Sequence, residues 1–156
     1  MGDSARNGED GFLRILIVEG DEIGAFVAHC EINKLPYACS IQRLSKTEEL
    51  QDKIPQFKPR FILIGESFTA PRLVSNIRQS GITLPIICIS KNGDSKTAEE
   101  VLKAGATDSL YSAQVSELAR CLEGHLSGNA VMPFYSQGNE LPPGSRFSLW
   151  IGKLDV

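Results

Sequence analysis

The sequence has no Lys- or Arg-rich run, no C-x-x-C pair and no apolar stretch approaching the length of a membrane span. Each absence excludes something. With no basic run, a formal net charge of -3 and a pI near 5.4, no field draws the chain to a polyanion, so nucleic acid is not an expected partner. Without about 20 consecutive apolar residues no spanning helix is expected, and no membrane partner. The first ten residues, MGDSARNGED, are polar and acidic and lack the charged-then-apolar layout of a secretory signal. The four cysteines, Cys30, Cys39, Cys88 and Cys121, lie far apart, whereas structural zinc ligands are usually closely spaced, so they read as reduced thiols of a cytoplasmic protein. His29 and His125 fall on predicted helices without ligand partners nearby in sequence and read as ordinary helix positions. No G-x-G-x-x-G follows a strand. No cysteine stands with a histidine in a nucleophile motif, and Cys88 sits inside an apolar run, where it acts as a small hydrophobe. Neither an enzyme nor a bound metal or cofactor is expected.

What is present is ordinary globular material: 156 residues, 42% apolar and 22% charged, enough for one domain and a tail. Three short Ile/Leu/Val-rich runs, 13–18, 60–65 and 85–90, are too short for helices and read as strands buried on both faces. Between them lie helical segments opening near Asp21 and spanning about 45–54, 71–79 and 94–104. Two weaker strands are read at 37–44 and 109–112, and a last helix at 115–126, with Ser116 or Gln114 near its start and Gly128 beyond its end. Gly81 and Gly105 follow the third and fourth helices, where positive φ ends a helix. Alternation of strand and helix predicts an α/β fold, a doubly wound parallel sheet with helices on both faces.

The chain divides into a polar segment 1–11, a domain 12–127, and a linker and tail 128–156 with a candidate strand at 147–154. Extended, the tail would place Phe147, Leu149 and Ile151 on one side and Trp150 on the other. Such a strand needs a partner, either an open sheet edge of its own domain or that of a second copy in a homodimer.

Three segments, ILIVEGDE (15–22), KPRFILIGES (58–67) and LPIICIS with LKAGATDSLYSA (84–90 and 102–113), together resemble the receiver domain of bacterial response regulators. The resemblance covers residues 13–126 and implies a flavodoxin-like five-stranded sheet of order 2-1-3-4-5. It also implies a phosphoryl-acceptor aspartate six positions after the proline that begins the third strand. Counting from Pro59 gives Gly65. The acidic pair that holds magnesium after the first strand reads Glu19 and Gly20, the D-Y-L-x-K-P run has Ser112 for its lysine, Ala113 for its proline and Ser109 for its aromatic, and the M-P-x-x-D-G loop is missing. Of the pocket only the hydroxyl Ser90 survives. Glu66 is expected on the opposite face from the acceptor position, and Asp21 is expected to cap the first helix.

The family resemblance therefore implies a pseudo-receiver, a docking or dimerisation module working without phosphorylation in two-component signalling. Its partner would be a histidine kinase, a phosphotransferase or another receiver. Family surfaces point to Ile23, Phe26 and Val27 on the first helix and to Lys96, Glu100, Lys103, Tyr111, Glu117 and Arg120 around the fourth and fifth. The alternative is a sensory domain that binds a small ligand in the vacated crevice at the carboxyl edge of the sheet.

Overall fold

The apolar runs become the inner strands because helices cover both faces of the sheet, which shields every position of β1, β3 and β4 from water except the half-buried Arg14. In the computed structural model, which describes residues 11–127, the order along the chain is β1 (Leu13–Val18), α1 (Glu22–Ile32), β2 (Cys39–Leu44), α2 (Leu50–Phe57), β3 (Phe61–Ile64), α3 (Pro71–Gln79), β4 (Ile86–Ser90), α4 (Ser95–Ala104), β5 (Asp108–Tyr111) and α5 (Leu118–Leu126). Short 3-10 turns, Thr47–Glu49 and Ser112–Glu117, precede α2 and α5. All strand pairs are parallel and the order is β2-β1-β3-β4-β5, as expected.

Alternation along each strand splits the core in two. Leu13, Ile15 and Ile17 of β1, with Phe61 and Leu63 of β3 and Ile87 and Ile89 of β4, meet Ala28 and Ile32 of α1 and Leu118, Cys121 and Leu122 of α5. Leu16, Val18, Ile62, Ile64, Ile86 and Cys88 face the other way, onto Leu50, Phe57, Val74, Ile77 and Val101 of α2, α3 and α4. Each fully buried Leu or Ile contributes about 1.5–3 kcal/mol relative to exposure.

Element ends differ from the sequence reading for local reasons. Asp21 does cap α1, accepting from Gly24 N at 2.8 Å. The second helix runs past Pro55 to Phe57, where Lys58 takes a left-handed conformation (φ 53°) and Pro59 stops it. Tyr37 lies outside β2 and instead donates its hydroxyl to Glu123 Oε1 at 2.6 Å. The last helix starts at Leu118, not Val115, because Gln114 Oε1 accepts from Tyr111 N at 3.0 Å and residues 112–117 form a 3-10 turn. Gly128 and the tail strand with Phe147, Leu149, Trp150 and Ile151 lie outside the described residues.

One side chain ties two connections together in a way the sequence did not reveal. Arg78 of α3 donates to the carbonyls of Ile82 (3.0 Å), Leu84 (2.7 Å) and Gly105 (2.9 Å) and to Thr107 Oγ1 (3.3 Å). Its Cγ would lie 2.8 Å from any Cβ at position 105, and Gly105 has φ +121°, so only glycine suits that place.

Candidate functional site

The carboxyl ends of β1, β3 and β4 open into a crevice bounded by α1 and the turn 112–117, with a volume of about 450 Å3. Its floor is apolar, from Ile17, Leu63, Ile89 and Val115, and its rim carries Glu19, Asp21, Glu66 and Lys91. Two neighbouring strand ends supply the decisive pair, Glu19 after β1 and Gly65 after β3.

Glu19 is buried, 3% exposed, and its carboxylate lies directly over Gly65. A Cβ built on Gly65 would overlap Glu19 Oε2 and come within 2.6 Å of Glu19 Cδ and 2.9 Å of Glu19 Cβ. The carboxylate is held by Ser67, whose hydroxyl donates to Oε2 at 2.7 Å and whose backbone N–H donates to the same oxygen at 3.2 Å. The Ser67 hydroxyl also accepts from Gly20 N at 3.1 Å. From the other side Arg43 of β2 donates to the carbonyls of Glu19 (2.9 Å) and Gly20 (3.0 Å). Phe68 covers Gly20, its Cζ 3.2 Å from where a Cβ would stand. Glu19, Ser67 and Arg43 thus form a closed clasp over the place where the resemblance puts the acceptor.

Magnesium does not fit this site. The ion needs several oxygen ligands in near-octahedral arrangement. Here two of the three positions are glycine, and the remaining carboxylate is already engaged by Ser67.

The other predicted pocket residues are dispersed. Ser112 borders the crevice, with its hydroxyl on Asn92 Oδ1 at 3.2 Å; Asn92 Oδ1 also accepts from Ala113 N at 2.8 Å. Asn92 thereby pins the start of the turn 112–117. Ser90 is buried with its Oγ 3.5 Å from Ser109 Oγ, on the same side of β4 as Cys88. Glu66 contributes to the crevice instead of turning away, because β3 ends at Ile64 and strand alternation no longer governs residue 66. Sequence reasoning missed Ser67, Phe68, Arg43 and Asn92. Only Ser67 had a signal, a hydroxyl two positions beyond the expected acceptor.

Of the partner-surface candidates, Ile23 (74% exposed), Phe26 (67%) and Val27 (37%) stand out from α1. This helix is apolar on both sides, with Ala25, Ala28 and Ile32 facing inward. Lys96, Lys103 and Arg120 are exposed and Glu100 and Glu117 half-buried, with Glu117 Oε2 3.4 Å from Arg120 Nε. Tyr111 is a correction: it is 1% exposed, enclosed at the end of β5, and offers no surface to a partner.

His125 and Cys121 each have a close polar partner that the sequence reading did not identify. His125 Nε2 lies 2.7 Å from Asp108 Oδ2, and the Cys121 thiol donates to the same oxygen at 3.4 Å. The partner comes from β5, 13 and 17 residues away in sequence, so local spacing gave no sign of it.

The geometry is that of a five-stranded doubly wound parallel sheet with a buried carboxylate, Glu19, lying over Gly65 at the carboxyl ends of β1 and β3. In structure, the chain is similar to the RcsB response regulator of Salmonella typhimurium (TM-score 0.68, 13% identity, 79% of this chain and 64% of that one). It is also similar to the isolated REC domain of RcsB from Salmonella enterica serovar Typhimurium with the phosphomimetic BeF3- (TM-score 0.67, 13% identity, 79% and 94%). A response regulator receiver protein from Pseudoalteromonas atlantica gives a TM-score of 0.63 at 16% identity, over 74% and 98% of the two chains. The chain therefore spans less than two thirds of the first RcsB protein. No family model and no curated protein matches the sequence. At these identities the likeness establishes the fold, which is that of the response-regulator receiver domains. Among the described residues no helix is long and apolar enough to cross a membrane.

Proposed function

We propose that this chain is a pseudo-receiver, a docking module of bacterial two-component signalling that works in the cytoplasm without phosphoryl transfer. The observation that carries the reading is the Glu19 carboxylate lying over Gly65 and held there by Ser67. An ordinary receiver switches when an acyl phosphate forms at that place. Here position 65 carries no side chain to accept a phosphoryl group, and a negative charge is already built in as the Glu19 carboxylate, engaged by Ser67. A permanent state of this kind suits constitutive docking.

The docking face is α1. A helix whose outward side carries Ile23, Phe26 and Val27 exposes more apolar surface than its own fold uses, and such patches mark interaction sites. The occupant we infer is a helix of a histidine kinase, a phosphotransferase or another receiver. A second copy of this chain would use the surface around Lys96, Glu100, Lys103, Glu117 and Arg120, or the open edges β2 and β5. The test is isothermal titration of a partner purified from the host by affinity to the chain. Equal affinity with and without acetyl phosphate and magnesium, and at least a tenfold loss with Phe26→Asp, are expected. Binding that strengthens on phosphorylation, or that ignores Phe26→Asp, contradicts the reading.

A second reading is favoured by the crevice itself: about 450 Å3 with an apolar floor and a charged rim suits a small amphipathic ligand. Thermal melting with nucleotides and quinone-like compounds separates the two, since a docking module shows no shift.

A further inference from the structure

Away from the crevice, at the opposite end of the sheet, three ligating side chains of different chemistry converge. Asp108 opens β5, and Cys121 and His125 lie on one face of α5, four residues apart, which brings both over the strand. One ligand atom from each lies within 4.8 Å of the other two. Asp108 Oδ2 is 2.7 Å from His125 Nε2 and 3.4 Å from Cys121 Sγ. Asp108 Oδ1 accepts from Ser109 N at 2.8 Å, which orients the carboxylate as a supporting hydrogen bond orients a metal ligand. Asp108 and Cys121 are buried, and the His125 side chain is 10% exposed, which gives an ion or a water a way in.

A Cys-His-Asp nucleophile arrangement would set the sulfur against the imidazole and the imidazole against the carboxylate. Here both the thiol and the imidazole address the carboxylate, and the sulfur is enclosed, so hydrolysis is not what the group is built for. Convergence of sulfur, nitrogen and oxygen donors on one point instead matches a zinc-type ion. Tetrahedral zinc with bonds of about 2.0–2.3 Å separates its ligand atoms by about 3.3–3.7 Å. The thiol–carboxylate spacing already agrees, and the imidazole–carboxylate pair opens by about 0.6 Å to reach it.

We propose that Asp108, Cys121 and His125 bind one zinc-type divalent cation, with solvent as fourth ligand, independently of the crevice. The Cys121 sulfur forms a bond to the metal and its proton passes to solvent. Burial first, and then the neighbouring Asp108 carboxylate, hold that thiol well above its usual range.

The experiment is titration of the reduced full-length chain with cobalt(II), then zinc(II). Expected are a near-ultraviolet sulfur-to-cobalt charge-transfer band, visible bands of tetrahedral intensity, and loss of both on adding one equivalent of zinc. Cys121→Ser should abolish the charge-transfer band. His125→Gln, with its folding checked by thermal melting, should keep that band but weaken zinc binding at least tenfold. Cys30→Ser, removing the exposed thiol beside His29, should change neither. Absence of the band in the wild type, its survival in Cys121→Ser, or zinc binding indifferent to His125→Gln would overturn the proposal.

Discussion

Replacing Gly65 with alanine adds a single methyl group, and the structure says where it goes. It meets Glu19 Cδ at 2.6 Å and Glu19 Cβ at 2.9 Å, against an optimum of about 3.5–4.0 Å for carbon pairs. Two responses are open. Keeping the clasp strains the site, and overpacking of this kind costs about 1–3 kcal/mol. Swinging Glu19 aside forfeits the Ser67 hydrogen bonds, and bonds to a charged group are worth about 1.5–3 kcal/mol. The cheaper response sets the loss. Gly65 does not lie at positive φ, so alanine also gains about 0.4–1 kcal/mol by restricting the unfolded chain. The net expectation is destabilisation by about 0.5–2 kcal/mol, read from urea unfolding at constant m. A double-mutant cycle isolates the contact, because the unfolded-chain contribution cancels. In a Glu19→Ala background the overlaps with Oε2 and Cδ vanish and only the Cβ contact remains, so Gly65→Ala should cost at least about 1 kcal/mol less there. Equal cost in both backgrounds, or a Gly65→Ala protein as stable as the wild type, would refute the clasp.

Three further expectations rest on other parts of the molecule. Arg78→Met removes the donor to the part-buried Ile82, Leu84 and Gly105 carbonyls and should cost about 1–3 kcal/mol in chemical unfolding. Burial pushes the Cys88 thiol up to about 12 from a usual 9.0, with Arg78 opposing in part. The unfolded thiol therefore ionises first, so Cys88 contributes stability that is complete below pH 9 and lost as pH rises towards 12, and Cys88→Ala should flatten the fall in stability over that window. Asp21→Ala removes the cap on Gly24 N and should cost about 1 kcal/mol in thermal unfolding.

The fold was readable because a parallel sheet buried on both sides writes itself as short runs rich in Ile, Leu and Val, and β1, β3 and β4 are of that kind. Edges were less sharp. Among the described residues β2 and β5 each pair on one side alone, and the hydrogen bonds Tyr37–Glu123 and Tyr111–Gln114 fixed their limits in ways no propensity records. That position 65 carries no side chain was visible in the sequence. The Glu19 carboxylate over it was not, because it reaches Ser67 across 48 residues and the two meet only once β1 and β3 lie side by side. Asp108 with His125, and Arg78 with Gly105, were hidden for the same reason. Such pairings depend on which strand lies under which helix, and single-sequence spacing carries that only after the topology is known.

The proposed reading requires that the crevice at Glu19 and Gly65 takes up no phosphoryl group, and the most direct measurement is the amide NMR spectrum of the full chain with beryllofluoride and magnesium added together. The account predicts no shifts at Glu19, Gly20, Gly65, Ser67 or Ser112 and no change in melting temperature. Saturable shifts at those residues that require both reagents would contradict it.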